Sequence, residues 1–333
     1  MQIFTGDDWA EDHAAPSSNP EPAPEPVLNP APGLMNQSVQ VAAKTWDERD
    51  IELTRGVAWN TIPSVGLANT TGLTGSANSN PTHLVFTELE KRYPPDTQNL
   101  RGIAIACGDM TSERDYFEHR TKVGFERVDG FDVSSESLNR YTPRGISFSA
   151  HITDVNAMAL PQEVYDLAVG SHGLHHIDNL ENCFTQLYRA LKPTGLLYMY
   201  EWIGPEYLQL PRRNRIVATL FCYLLFPRKA QRTTHEGNVK GMRWLGHTKE
   251  QLDPSEACNS TVLLHECLQN FRVIHRFDHG GLTYPVLEGI GHKIDESQPR
   301  TRRKLRLLVA LDRVLSRFNI IEPLFTILIA EKR

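Results

Sequence analysis

The chain lacks the features that would announce several protein classes. Its 333 residues include only five cysteines, Cys107, Cys183, Cys222, Cys258 and Cys267, which are scattered, odd in number and without a CxxC pair. Neither a disulfide framework nor a zinc knuckle is indicated. No apolar stretch is long: the strongest, Ile216–Phe226, is about half of the ~20 residues a spanning helix needs. The first fifteen residues are acidic and lack the apolar segment of a secretory signal. Basic charge is not in excess. There are 35 Lys+Arg against 40 Asp+Glu, and residues 1–43 hold six acids and no Lys or Arg. The remaining body is therefore near neutral, with 35 bases and 34 acids (40 minus 6), which argues against a nucleic-acid binder. These absences predict a soluble, cytoplasmic protein of a reducing compartment.

What is present is unevenly distributed. Seven of the 21 prolines fall within residues 16–33, where little apolar surface is available to bury. Residues 1–43 are thus expected to be a disordered acidic, Pro-rich tail. Residues 44–100, with Trp46, Trp59, Ile62 and Val65 among glycines and polar residues, read as a helical and loop cover. From residue 101 short apolar runs alternate with amphipathic stretches. The runs are 101–106, 126–133, 146–152, 165–171 and 196–202, and Ser112–Gly124, Ser135–Tyr141 and Leu180–Leu191 read as helices between them. Pro193-Thr194-Gly195 is expected to stop the third. This rhythm predicts an α/β fold, a doubly wound, mostly parallel sheet of seven strands. Residues 205–270 break it and read as a helical lid insertion. Strand patterns return at 271–277 and 323–330 around a basic helix at 300–317, so the core is 101–204 plus 271–333.

Ligands of such sheets sit at the carboxyl ends of the strands. The first strand runs into Ala106-Cys107-Gly108-Asp109-Met110, a tight turn before a helix N-terminus, with one glycine where a dinucleotide fingerprint has three. The second ends at Asp132, 24 residues after Gly108, where a carboxylate can accept from a ribose diol or cap a helix. The third ends near Asp154, and the fourth at Ser171-His172-Gly173-Leu174-His175-His176.

Four such tips in order resemble the class I S-adenosylmethionine-dependent methyltransferases. The matching stretches are AIACGDMTSE, VDGFDVSSESL, ITDVNAMALPQEVYDLAVGSHGLHHIDNL and LYRALKPTGLLYMYEWIGP, with the Leu-Lys-Pro-x-Gly turn at 191–195 among the more diagnostic. Glu201–Pro205, Gln209, Asp253–Ala257, Gly280-Gly281 and Pro285 also look like a bacterial small-molecule subgroup. The resemblance implies S-adenosyl-L-methionine as cofactor. Ala106, Cys107 and Gly108 would pack on its methionine moiety, Asp132 and Val133 would hold the ribose, Asp154 and Val155 would flank the adenine, and Ser171 and His172 would lie near the sulfonium. Three positions depart from the pattern. Ala106 and Met110 stand for glycines, and Ala104 for an acid; Glu113, one turn into the helix, can reach an ammonium group in its place.

Methyl transfer to a hydroxyl or amine often needs a proton acceptor. His172, His175, His176 and Glu201 are the candidates. Each has a structural alternative, since a histidine after a strand often packs internally. The remaining histidines are dispersed, no HxxxH or HExxH spacing supports a metal site, and none is expected. The expected partner is a small-molecule methyl acceptor, with no nucleic acid and no membrane span. A non-catalytic S-adenosylmethionine-binding protein, a nicotinamide-dependent oxidoreductase and a methyltransferase acting on a peptide or protein remain rivals at this point.

Overall fold

The computed structural model describes residues 37–47, 59–227, 232–233, 239–240, 255–288, 290–291 and 294–333. Helix α1 is Gln37–Asp47, α2 Pro63–Thr74 and α3 Pro81–Glu90. The sheet begins with β1, Thr97–Ile105, and continues through α4 (Arg114–Glu118), β2 (Val123–Asp132), α5 (Ser135–Arg140), β3 (Ser147–Ile152) and β4 (Tyr165–Ser171). It then passes through α6 (Leu180–Ala190), β5 (Leu191–Trp202), α7 (Arg212–Leu225) and α8 (Ser260–Asn270). It closes with β6 (Phe271–His279), α9 (Thr283–Leu287), α10 (Pro299–Arg317) and β7 (Phe325–Lys332). The strand order is β3-β2-β1-β4-β5-β7-β6. The first five strands run parallel, and β7 lies antiparallel between β5 and β6. The expected seven-stranded, mostly parallel, doubly wound sheet is therefore present.

Period-two alternation within buried strands builds a core on each face. Ile103, Ile105, Leu197 and Met199 point to the layer made by α6 and α8, where Leu180, Cys183, Phe184 and Leu187 form one helix stripe. Leu100, Ala104, Leu196 and Tyr198 point to the opposite layer, against Val85, Phe86 and Leu89 of α3 and Phe117 of α4. A third cluster, with Trp59, Trp202, Tyr284 and Phe325 among its members, gathers segments from both ends of the chain with α7 and α10.

Several boundaries move. The tail expected to reach residue 43 gives way at Gln37 to a helix free of proline; the Pro-rich stretch itself lies outside the described residues. The helix expected over Ser112–Gly124 is only Arg114–Glu118 and yields to β2 at Val123. Helix α6 ends at Ala190, before the Lys-Pro-Thr-Gly turn, because Leu191 already pairs with Tyr165. The lid region contains α7, a two-residue hairpin pairing 232–233 with 239–240, and α8. Among the described residues no helix is long and apolar enough to cross a membrane.

Candidate active site

The site is built where β1, β2 and β4 end side by side. Chain direction reverses sharply after β1, and Ala106, Gly108 and Met110 all take positive φ, at 49°, 51° and 60°. Only Gly108 does so without a Cβ penalty. A Cβ built on Gly108 would have no atom within 4 Å, so the turn faces open space. Gly173, after β4, is the opposite case: a Cβ there would lie 2.1 Å from the carbonyl oxygen of Ala106. The two loops are in backbone contact, and glycine is what permits it.

Asp132 closes the turn from the β2 side. Its Oδ2 accepts from the Gly108 N–H at 2.8 Å and its Oδ1 from the Ser134 N–H at 2.8 Å. It is buried, and burial raises its pKa, with the nearby Asp47 acting in the same direction and the backbone N–H groups of Ser134, Gly108 and Val133 opposing. Asp47, at the end of α1, accepts from the Ser134 hydroxyl at 2.7 Å, and Ser134 in turn caps α5 through Ser137 N–H. Asp132 thus braces the capping residue Ser134 on one side and the Gly108 turn on the other.

Glu113 stands at the start of α4 and is 1% exposed, with Oε1 lacking any hydrogen-bond partner. Burial raises its pKa far above the ordinary value, reinforced by Glu201, Asp109 and Asp132. An orphaned carboxyl oxygen in such a place calls for an explanation. Cys107 is buried nearby, its thiol pushed well up by burial and by Asp132 and Glu113, so it is a packing group and not a nucleophile.

Asp154 is partly buried, and its Oδ1 accepts from Asn156 N–H and from Asn156 Nδ2 at 2.9 and 2.8 Å, an Asx turn at the exit of β3. Val155 is buried in the core beneath it. Ser171 ends β4 in register with Tyr200. His172 follows at φ 59° and donates its N–H to the Tyr200 carbonyl at 2.9 Å. Its ring lies 4.3 Å from that of Tyr200, and burial pulls its pKa down to about 4, which favours the neutral imidazole.

The other three candidate bases are placed differently. Glu201 is fully buried and directed inward, accepting from Gly173 N–H at 2.9 Å, from Leu174 N–H at 2.8 Å and sharing a 2.7 Å bond with His175 Nδ1. His175 lowers its pKa against the cost of burial. Glu201 therefore holds the β4 exit in shape and does not face the open side. Its partner His175 is raised to about 10, because Glu201 and Glu256 outweigh its burial. His176 is half-buried, with Nδ1 3.1 Å from the Ser255 hydroxyl.

Beside His172 lies a set of residues that sequence reasoning did not single out. Rings of Tyr200, Phe325 and Trp59 surround His279 at 5.6, 5.9 and 5.8 Å between centroids. Both His279 nitrogens are buried without hydrogen-bond partners, and the Tyr200 hydroxyl, also buried, faces the Asn60 side chain. Burial takes the His279 pKa down to about 3. No local spacing links positions 59, 60, 200 and 279. Only the β5-β7-β6 pairing and the early segment folded over it bring them together.

Residues 104–199 match the family model of the methyltransferase domain. The curated relative "Arginine-hydroxylase NDUFAF5, mitochondrial" of Danio rerio is 29% identical over 91 residues, 27% of this chain and 28% of that protein. The match thus spans just over a quarter of the relative's length. Among solved structures, an S-adenosylmethionine-dependent methyltransferase from Mesorhizobium loti is 20% identical, covering 74% of this chain and 97% of its own at a TM-score of 0.41. The cyclopropane synthase MmaA2 from Mycobacterium tuberculosis is 12% identical, covering 90% and 99% at 0.48. Geranyl diphosphate C-methyltransferase from Streptomyces coelicolor is 12% identical, covering 91% and 100% at 0.46.

Proposed function

We propose that this chain, whose residues 104–199 form a class I S-adenosylmethionine-dependent methyltransferase domain, moves a methyl group from S-adenosylmethionine to an oxygen or nitrogen atom of a small molecule. The residues present fit the cofactor. The Gly108 turn is open where a Cβ would stand, and Glu113 offers a buried carboxyl oxygen with no protein partner. Asp132 and Val133 would hold the ribose, Asp154 and Val155 the adenine edge, Ala106, Cys107, Gly108 and Glu113 the methionine end, and Ser171 and His172 the region of the reacting methyl. When bound, the cofactor supplies an electrophilic methyl group on a sulfonium; the protein's share is orientation, exclusion of water and handling of a proton.

The observation that carries the acceptor side is the orphaned polar group set beside His172. Buried polar atoms are nearly always paired. Here two His279 nitrogens are left unpaired inside an aromatic wall, next to the Tyr200 hydroxyl that faces the Asn60 side chain. Such a wall with a few convergent polar groups suits a small acceptor, whose hydroxyl or amine would complete these bonds. His172, neutral and adjacent to Tyr200, takes the proton released from the acceptor atom. Glu201 acts through the 173–174 turn that positions it, and His176 lies one step further out.

The test is transfer of a labelled methyl group from S-adenosylmethionine to panels of small phenols, alcohols and amines. His172→Ala should lower kcat by about 10²–10⁴, the range of a lost general base, and lower the calorimetric affinity for S-adenosylhomocysteine far less. A wild-type kcat in this variant, or cofactor binding with no transfer to any acceptor, would overturn the reading.

A further inference from the structure

We propose that His175, His176 and Glu256 form a binding site for Zn2+ or a similar transition-metal dication. The inference does not depend on the methyl-transfer reading. His175 Nε2 lies 3.3 Å from Glu256 Oε1, and His176 Nε2 lies 4.0 Å from Glu256 Oε2. One ligand atom from each of the three residues lies within 4.8 Å of the others. Zinc held at ~2.0–2.1 Å in a tetrahedral shell keeps its ligand atoms ~3.3 Å apart. The set therefore stands close to the size of one coordination sphere, and modest side-chain adjustment brings it there.

The outer partners of the two rings argue in the same direction. Metal-ligating histidines almost always have their second nitrogen fixed by a carboxylate, a carbonyl or another polar group. His175 Nδ1 is held at 2.7 Å by Glu201 Oε2, and His176 Nδ1 lies 3.1 Å from Ser255 Oγ. Both rings thus present Nε2 to the same carboxylate. Glu201 is itself fixed by Gly173 N–H and Leu174 N–H, so the anchor is rigid. The two rings are tilted against each other by 36°, with centroids 4.4 Å apart.

Charge and donor chemistry fit a dication. Glu201 and Glu256 place two carboxylates against two imidazoles, in positions 0% and 17% exposed at the side chain. Ligating imidazoles are neutral, so a dication would take over from the His175 ring the balancing of the two carboxylates that face it. Two nitrogens and one oxygen are borderline ligands that suit zinc and leave a fourth position for water. The site would tie the turn after β4 to the segment ahead of α8. It was invisible to motif spacing because Glu256 follows His176 by 80 residues.

The experiment uses the full chain stripped of metal with a chelator. Zn2+ is titrated by calorimetry, and Co2+ by the visible absorption of four-coordinate cobalt. One equivalent of each should bind, with Zn2+ raising the Tm. His176→Ala and Glu256→Gln should each weaken Zn2+ at least tenfold and abolish the cobalt bands. Glu201→Gln should weaken it by about 10–100-fold, the effect of an outer partner. His265→Gln, at an exposed histidine on α8, should leave the affinity unchanged. Absence of a stoichiometric site overturns the proposal. So does a site whose affinity survives both His176→Ala and Glu256→Gln in variants that keep the wild-type circular dichroism.

Discussion

Replacing Asp132 separates its structural duty from its proposed hold on the cofactor ribose. In the folded chain its two oxygens accept from Gly108 and Ser134 N–H groups, each at 2.8 Å. Asp132→Ala leaves two buried or half-buried donors without acceptors, at about 1–3 kcal/mol each. The Ser134 donor is fully buried, while the Gly108 donor is partly open and can recover water. Removing a carboxyl that burial already disfavours returns part of the loss. The expected cost in urea unfolding is therefore about 2–3 kcal/mol. Asp132→Asn keeps one acceptor oxygen and should cost about half as much. Cofactor binding should fall further than stability alone demands. Loss of a charge-assisted pair to a diol is worth about 1–3 kcal/mol, or roughly 5- to 150-fold in Kd. The assay is calorimetric titration of S-adenosylhomocysteine into each variant at a temperature where it is fully folded. An Asp132→Asn chain that unfolds within about 1 kcal/mol of wild type and binds with unchanged affinity would show that Asp132 is only a brace.

Two further outcomes follow from the same geometry. Gly173→Ala would drive a methyl group to 2.1 Å from the Ala106 carbonyl oxygen, and because that neighbour is backbone the two loops must part. The expected loss is about 1–3 kcal/mol in denaturant unfolding, with weaker S-adenosylhomocysteine binding; wild-type values for both would show that the loops do not touch. His279 is held neutral by burial, with its pKa lowered to about 3. A depressed histidine contributes stability above its unfolded pKa of ~6.5 that is lost as pH falls toward the folded value. Between pH 6.5 and 5 that loss is about 2 kcal/mol. His279→Phe should therefore flatten the pH dependence of urea unfolding in that window, and an unchanged slope would mean that His279 is protonated or solvated in the folded chain.

The sheet was legible because its signals are local. Runs such as 102–105 and 165–171 are buried on both faces, and turn residues mark their ends, so strand identity could be read directly. Asp132 and the Gly108 turn were legible for the same reason: the strand order places their tips side by side. Boundaries at chain crossovers were less so. Leu191 pairs with Tyr165 before the proline arrives, and tertiary pairing overrides the apparent helix stop. What local signals could not convey was direction. Glu201 was visible as a residue near the active edge, but its carboxylate turns inward to the Gly173 and Leu174 N–H groups. Nothing in its neighbours announces that. His279, Tyr200, Trp59 and Glu256 acquire their surroundings only through contacts between segments far apart in the chain.

The departures from the family pattern are arranged so that they offset one another. Ala104, where the resemblance expects an acid, is fully buried among apolar side chains of β1 and the α3 layer. A carboxylate there would need a partner that this core does not provide. Nine residues later stands Glu113, a buried acid whose Oε1 is left unpaired. Ala106 carries a left-handed backbone at φ 49°, a conformation that costs an L-residue about 1–2 kcal/mol, and His172 repeats it at 59° across the same contact. Strain of this kind persists only where surrounding structure over-determines it. Here the over-determination is specific. Asp132 holds Gly108 from one side, and Glu201 holds Gly173 and Leu174 from the other. Glu113, Asp132 and Glu201 lie close enough for the latter two to raise the proton affinity of the first. Glu201 is neutralised by His175, but Glu113 has no such cation. A ligand that brings positive charge to this point relieves the repulsion, and a neutral one does not.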